Sequence, residues 1–227
     1  NIRIDPITEN VGCLSGYSIQ EIGGDLVFLS PDGIRTVAGT ARIGDTELGS
    51  VSRQIQSIIG NIASKINLYT ISSCVLRSKS QYRLFYTDKT VASNISKGII
   101  GTFTPNGFEW SETQGIQALG LTTGFNNNNI EKAYHGDKDG YVYNHDTGDA
   151  FNPEGVESKI IAEYQTPSFD FGDIGTRKTV KYVRISVSPE GECEPVLRMR
   201  FDYGSIDITQ PQDYPLGSVP LPANFGV

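Results

Sequence analysis

The stretch "YSIQEIGGDLVFLSPDGIRTVAG", residues 17–39, decides the fold class. Two turn signals, Gly23-Gly24-Asp25 and Pro31-Asp32-Gly33, cut it into short runs rich in β-branched and aromatic residues. Such runs between glycine-bearing turns read as strands, here Tyr17–Ile22, Leu26–Leu29 and Ile34–Val37. The middle run, Leu-Val-Phe-Leu, is apolar on both faces, so it is expected in the centre of a sheet covered twice.

The same punctuation continues outward. "QYRLFYTD" and "KGIIGTF" read as strands, and "TPNGFEW" carries Asn106-Gly107, a strong hairpin signal. A third group follows in "GIQALGLTTG", "NIEKAYHG" and "GYVYNHDTG". One segment departs from strand periodicity: Ile55, Ile58, Ile59 and Ile62 recur at helical spacing and predict one short helix, with Ser50 or Ser52 as its N-cap. Groups of three or four strands recurring about every fifty residues predict an all-β chain whose residues 1–155 form a partial β-propeller of about three blades. After Gly155 the runs lengthen. Val183, Ile185 and Val187 alternate with polar neighbours, as do Leu197, Met199, Phe201 and Tyr203, which predicts an antiparallel hairpin over 178–203. Residues 156–227 are thus expected to form a β-sandwich-like antiparallel domain with an extended tail carrying Pro211, Pro215, Pro220 and Pro222.

Composition narrows the function. Lys and Arg total 19 against 26 Asp and Glu, a net charge of −7, which argues against a module gripping nucleic acid through phosphates. The apolar runs are too short for a membrane span. Three cysteines, Cys13, Cys74 and Cys193, lack zinc spacing and read as reduced, buried thiols.

The most chemically suggestive stretch is "HGDKDGYVYNHDTGD", residues 135–149, with both histidines of the chain and four aspartates. With Gly140 at the sixth position of a calcium loop, the first position is His135 and the twelfth Asp146, and neither fits. His135 and His145 lack a third close ligand for zinc. Turn chemistry explains the aspartates: Asp139-Gly140 as a hairpin turn, Asp146-Thr147-Gly148 as the next. "DFG" at 170–172 stands without any other kinase motif and reads as a strand-to-turn corner with Phe169 and Phe171 packed inward. "TPNGFEW" is one residue short of an Asp-box and reads as a plain hairpin anchored by Trp110. No G-x-S-x-G elbow and no paired carboxylates for glycoside hydrolysis are evident, so no enzyme activity and no cofactor are expected. The basic residues Arg177, Lys178, Lys181 and Arg184 read as a solvated strand face or as a contact to an acidic partner surface or a phosphate; with Arg198 and Arg200, which would pair acidic residues across a subunit interface, they are the candidate interface.

In combination these segments resemble a family. "GGDLVFLSPDGIRTVAG" followed by "ELGSVSRQIQ", and "HGDKDGYVYNHDTG" followed by "TPSFDFGDIGTRKTVKYVRISVSPEG", are similar to propeller blades of podovirus-type bacteriophage tail nozzles. These are also called tail tubular protein B, and packaged-DNA stabilisation proteins are related to them. The resemblance spans roughly residues 13–203. It implies a virion protein, assembled in the bacterial host cytoplasm, that forms a homo-oligomeric ring, usually a hexamer. It implies as partners the adjacent adaptor and tail proteins and fibres, and genome DNA passing the channel without sequence-specific binding. The resemblance carries over no catalytic or metal-binding residue. The rival expectations are a receptor- or glycan-binding or -processing tail protein on the same scaffold, and a bacterial surface propeller.

Overall fold

A computed structural model describes residues 11–43, 50–90, 96–148, 150, 159–173, 175–186 and 193–217, with 41–43 as backbone only. The chain divides into two compact units, Asn1–Thr147 and Gly148–Val227. The boundary expected after residue 155 lies outside the described residues.

The first unit holds three consecutive antiparallel sheets. Strands β1 (Gln20–Ile22), β2 (Asp25–Ser30) and β3 (Gly33–Thr36) form the first, in that order. As expected, β2 is the central strand, with Val27 and Leu29 fully buried, though Leu26 at its start faces outward. The second turn is closed by charge. Asp32 accepts hydrogen bonds from Ser30 Oγ and from the Arg35 guanidinium, and Arg35 is completely buried. Gly33 is required at this turn: with φ at 153°, a Cβ there would lie 2.0 Å from Ser50 Oγ.

A helix that the sequence reading missed follows at once, α1 (Val37–Ile43). Thr36 Oγ1 accepts the Gly39 N–H at 3.0 Å, and the Asp25 carboxylate accepts the Ala38 N–H at 3.1 Å, so the first turn is satisfied from outside. The predicted helix is α2 (Gln56–Ser64), entered through a 3₁₀ turn at Arg53–Ile55. Ile55, Ile59 and Ile62 are buried, and Ile58 packs partly against the same core. Neither serine caps it. Ser52 Oγ instead accepts the Ile34 N–H at 2.8 Å, tying the helix entry to β3.

The second sheet runs β4 (Tyr69–Leu76), β5 (Gln81–Asp88), β6 (Ser96–Thr104), β7 (Gly107–Ile116) in chain order. β4 was not expected from sequence, yet its last six residues are all buried. The β6–β7 hairpin is where Asn106-Gly107 places it, but the two connecting residues are Pro105 and Asn106. Gly107, at φ 111°, opens β7. Trp110 anchors this hairpin as expected: its Nε1–H donates to Val51 O at 2.9 Å and its ring stacks on Phe108. Gly98 lets β6 lie flat, since a Cβ there would meet Phe85 and Thr113 at 2.8 Å.

The third sheet has β8 (Gly120–Phe125), β9 (Glu131–Gly136) and β10 (Val142–Asn144), ordered β10-β9-β8. β4 packs against both β1 and β8. A core of Val27, Leu29, Ile34, Ile59, Ile62, Tyr82, Leu84 and Ile99 joins the first two sheets and α2. Tyr82, fully buried, donates its hydroxyl to Ser18 O at 2.8 Å. No described helix is long and apolar enough to cross a membrane.

The second unit is different. Its one strand pairing among the described residues joins β11 (Val196–Leu197) to β12 (Tyr214–Pro215). The expected hairpin over 178–203 is not formed by the described residues: Val183 and Ile185 lie half exposed without a strand partner, and Leu197 pairs with Tyr214 instead. Val187 and the expected turn at 188–192 lie outside the described residues, as do Pro220 and Pro222 of the tail. Phe169 precedes the "DFG" turn and Phe171 is its middle residue, but both rings are exposed, 6.1 Å apart, rather than packed inward.

The cysteines also depart from expectation. All are free thiols, but only Cys74, on β4, is buried; Cys13 is exposed and Cys193 partly so. Burial pushes the Cys74 thiol up to about 12. A thiol-reactive dye is therefore expected to label Cys13 and Cys193 in the native protein and Cys74 only after denaturation, with site occupancy read by peptide mass mapping. Native labelling of Cys74 at the rate of Cys13 would contradict this packing.

Candidate functional site

The turn-rich stretch at 135–149 does more than turn. Its first half behaves as expected of an aspartate in a loop: Asp137 Oδ1 accepts the N–H groups of Asp139 and Tyr141, each at 2.9 Å. The loop between β9 and β10 is, however, 137–141 rather than the two-residue Asp139-Gly140 turn, since Gly136 pairs with Val142. Gly140 supplies the left-handed residue at φ 87°.

The second half is anchored to another sheet. His135 on β9 and His145, just past β10, are both buried, and His135 Nδ1 lies 2.7 Å from His145 Nε2. The other ring nitrogen of His145, Nδ1, sits 3.3 Å from Arg83 Nη1 on β5. A guanidinium only donates, so His145 Nδ1 must accept, which places the hydrogen on His145 Nε2. That hydrogen points at His135 Nδ1, which must then accept as well. Both imidazoles are neutral in this arrangement, and both tautomers are fixed by the chain Arg83 to His145 to His135. Tyr143 stacks on His135, and the Phe85 ring edge meets His145.

Arg83 is a buried cation, 3 % exposed, and Asp146 is its counter-ion. Arg83 Nη2 donates to Asp146 Oδ2 at 2.7 Å, and Lys79 Nζ donates to the same oxygen at 2.7 Å. Gln81 Oε1 accepts from Arg83 Nε and Nη2. Asp146 does adopt the left-handed turn conformation expected of it, at φ 54°. Its side chain, expected to bond nearby backbone, bridges instead to residues more than sixty positions away.

Electrostatics follow from the geometry. Burial, joined by His135 and the Arg83 charge, holds His145 down at about 4. Burial also lowers His135, partly offset by Asp137. For Asp146, burial favours the neutral acid, but the hydrogen bonds and charges of Arg83 and Lys79 outweigh it and hold the carboxyl at about 2. The arrangement is a neutral histidine pair and a satisfied ion pair that fasten the third sheet to the second. No group of three or more metal-ligating side chains occurs among the described residues.

The basic candidate residues are placed elsewhere. Arg177, Lys178, Lys181 and Arg184 lie on an exposed stretch of the second unit that forms no helix or strand. Arg198 and Arg200 sit beyond β11 and both approach Asp213 of their own chain, at 3.0 and 3.6 Å. Among the described residues only the second pair has an acidic partner within the chain, and the single Asp213 carboxylate offsets one of its two charges. Sequence reasoning missed Arg83 altogether, although a lone arginine inside the otherwise buried run "YRLFY" was a visible sign of an internal ion pair.

Compared with family models, with curated proteins and with solved structures, the chain has no match.

Proposed function

We propose that this chain is a non-catalytic structural component of a bacteriophage tail, part of a ring that extends the DNA exit channel and docks neighbouring tail proteins. The observation that carries the reading is that β4 packs against both β1 and β8. Each is the first strand of its own up-and-down sheet, and successive sheets whose first strands lie side by side are what blades around an axis present. In this reading the three sheets are blades of a partial propeller, consistent with the resemblance in "GGDLVFLSPDGIRTVAG" and "HGDKDGYVYNHDTG".

The second unit supports assembly. Ile161, Tyr164 and Ile206 are 93, 89 and 98 % exposed, an arrangement that a chain keeps in solution at a cost and that contact with a partner relieves. A net charge of −7 per copy, repeated around a ring, would repel the phosphates of a passing duplex and keep it from sticking.

The test is to express the complete reading frame and image it by negative stain, with an antibody to the chain applied to purified particles. Rings with a central opening, and label at the tail, are expected. A chain that stays monomeric and is absent from particles would overturn the proposal. Cleavage of host glycans by the purified chain would favour the receptor-processing alternative.

A further inference from the structure

Two features of the chain are each incomplete. The four-stranded sheet ends in β7, ten residues long and paired among the described residues only with β6, so its outer edge offers a row of backbone groups to a further strand. Residues 178–185, "KTVKYVRI", have the alternating β-branched and aromatic composition of a strand but no strand partner among the described residues. Val180, Tyr182, Val183 and Ile185 are 45, 81, 49 and 45 % exposed.

Their charges match in spacing. Glu109 and Glu112 are exposed on β7, three residues apart; Lys181 and Arg184 are three apart on the 178–185 segment. In an antiparallel pairing that sets Glu109 opposite Arg184, Glu112 falls opposite Lys181, so both ion pairs form in one register. The same register sets Phe108 opposite Ile185 and Trp110 opposite Val183. That adds two apolar side chains to the stacked pair at the core-facing side of β7. A one-residue slip would lose both sets at once.

We propose that residues 178–185 of a second copy of this chain add to the β7 edge as a fifth, antiparallel strand, and that this exchange links neighbouring copies. The inference rests on the self-assembling reading above and names its contact. Charge complementarity makes this sequence's own segment the occupant, and the self-assembling reading makes it that of a second copy; pairing within one chain, or with the run at 197–203, is an outcome the test distinguishes.

The experiment uses the full chain with Cys13→Ser and Cys193→Ser, into which Ser111→Cys and Tyr182→Cys are placed. Directly opposed residues in this register fall within disulfide reach. Light and heavy isotope-labelled copies are mixed, allowed to assemble and oxidised. Cross-linked peptides carrying one light and one heavy partner are expected. Single-isotope cross-links alone, or none, would overturn the exchange. In parallel, Glu109→Lys with Glu112→Lys is expected to weaken assembly at least about tenfold, as is Lys181→Glu with Arg184→Glu, and combining all four restores it. If every variant assembles like the parent, the pairing is wrong while self-assembly stands. If the parent itself does not assemble, the proposed function fails together with the exchange.

Discussion

Replacing Asp146 by Asn is expected to destabilise the first unit by about 3 kcal/mol, the lower end of what stranding a buried charge costs. Arg83 is 3 % exposed, so water cannot replace the lost carboxylate without opening the contact between β5 and the segment after β10. Gln81 still accepts two of its hydrogen bonds, and Asp146 is itself 37 % exposed, which admits some solvent; both hold the loss below the upper range. Removing the exposed partner alone, Lys79→Ala, is expected to cost no more than about 1 kcal/mol, because that bridge is solvated. The pair Arg83→Met with Asp146→Asn removes the stranded charge and is expected to recover part of the single-variant loss. Urea unfolding of the parent, Arg83→Met, Asp146→Asn and the double variant, followed by tryptophan fluorescence from Trp110, gives the cycle, with Lys79→Ala measured beside it. An Asp146→Asn midpoint indistinguishable from the parent would show that Arg83 is not held by this pair.

How far the sequence revealed this molecule depends on the range of each interaction. The three strands of 17–39 and the hairpin at 104–107 were legible because turn residues act on their immediate neighbours, though the first strand begins at Gln20 and not at Tyr17, which lies in a 3₁₀ turn at Gly16–Ser18. The helix around Ile59 was legible for the same reason: its periodicity is local. β4 was not, since Ser72-Ser73-Cys74 interrupts any apolar alternation and the strand is defined by being covered on both faces. α1 was not legible, and only its first residue, Val37, falls in an expected strand: its first-turn donors are met by Thr36 and by Asp25, a residue from the turn before β2. At 135–149 the left-handed Asp146 was legible as a turn residue, but its choice of Arg83 over backbone was not: that partner lies on another sheet. The failure at 178–203 is of another kind. There the strand pattern is present and the described chain does not use it, which is what a segment awaiting a partner would show.

The histidine pair makes a second large prediction, a loss of stability on mild acidification. His145 is held at about 4 in the folded chain against an ordinary value of 6.5. Above pH 6.5 it is neutral whether folded or not, so the pair contributes its full share. As pH falls from 6.5 toward 4 the unfolded chain takes up a proton that the folded chain refuses, and stability declines through that window before levelling below it. The difference corresponds to about 3 kcal/mol, and the downward shift of His135 acts in the same direction. The physical cause is burial first, which disfavours the charged imidazole. The fixed tautomers add to it: a proton on His145 Nδ1 would face the Arg83 guanidinium, and one on His135 Nδ1 would set two donors against each other at 2.7 Å. Asp146 acts lower on the scale. Its carboxyl titrates at about 2 folded against 3.8 ordinarily, so its contribution is intact above pH 4 and disappears only as pH falls through 2. Urea midpoints measured at half-unit steps from pH 7.5 to 3.5 are therefore expected to fall mainly between 6.5 and 4. In His145→Asn the decline over that window should flatten, on a lower plateau at neutral pH. Equal acid sensitivity in parent and variant would mean that the proton enters elsewhere, and that the contact between the second and third sheets is not what acid breaks.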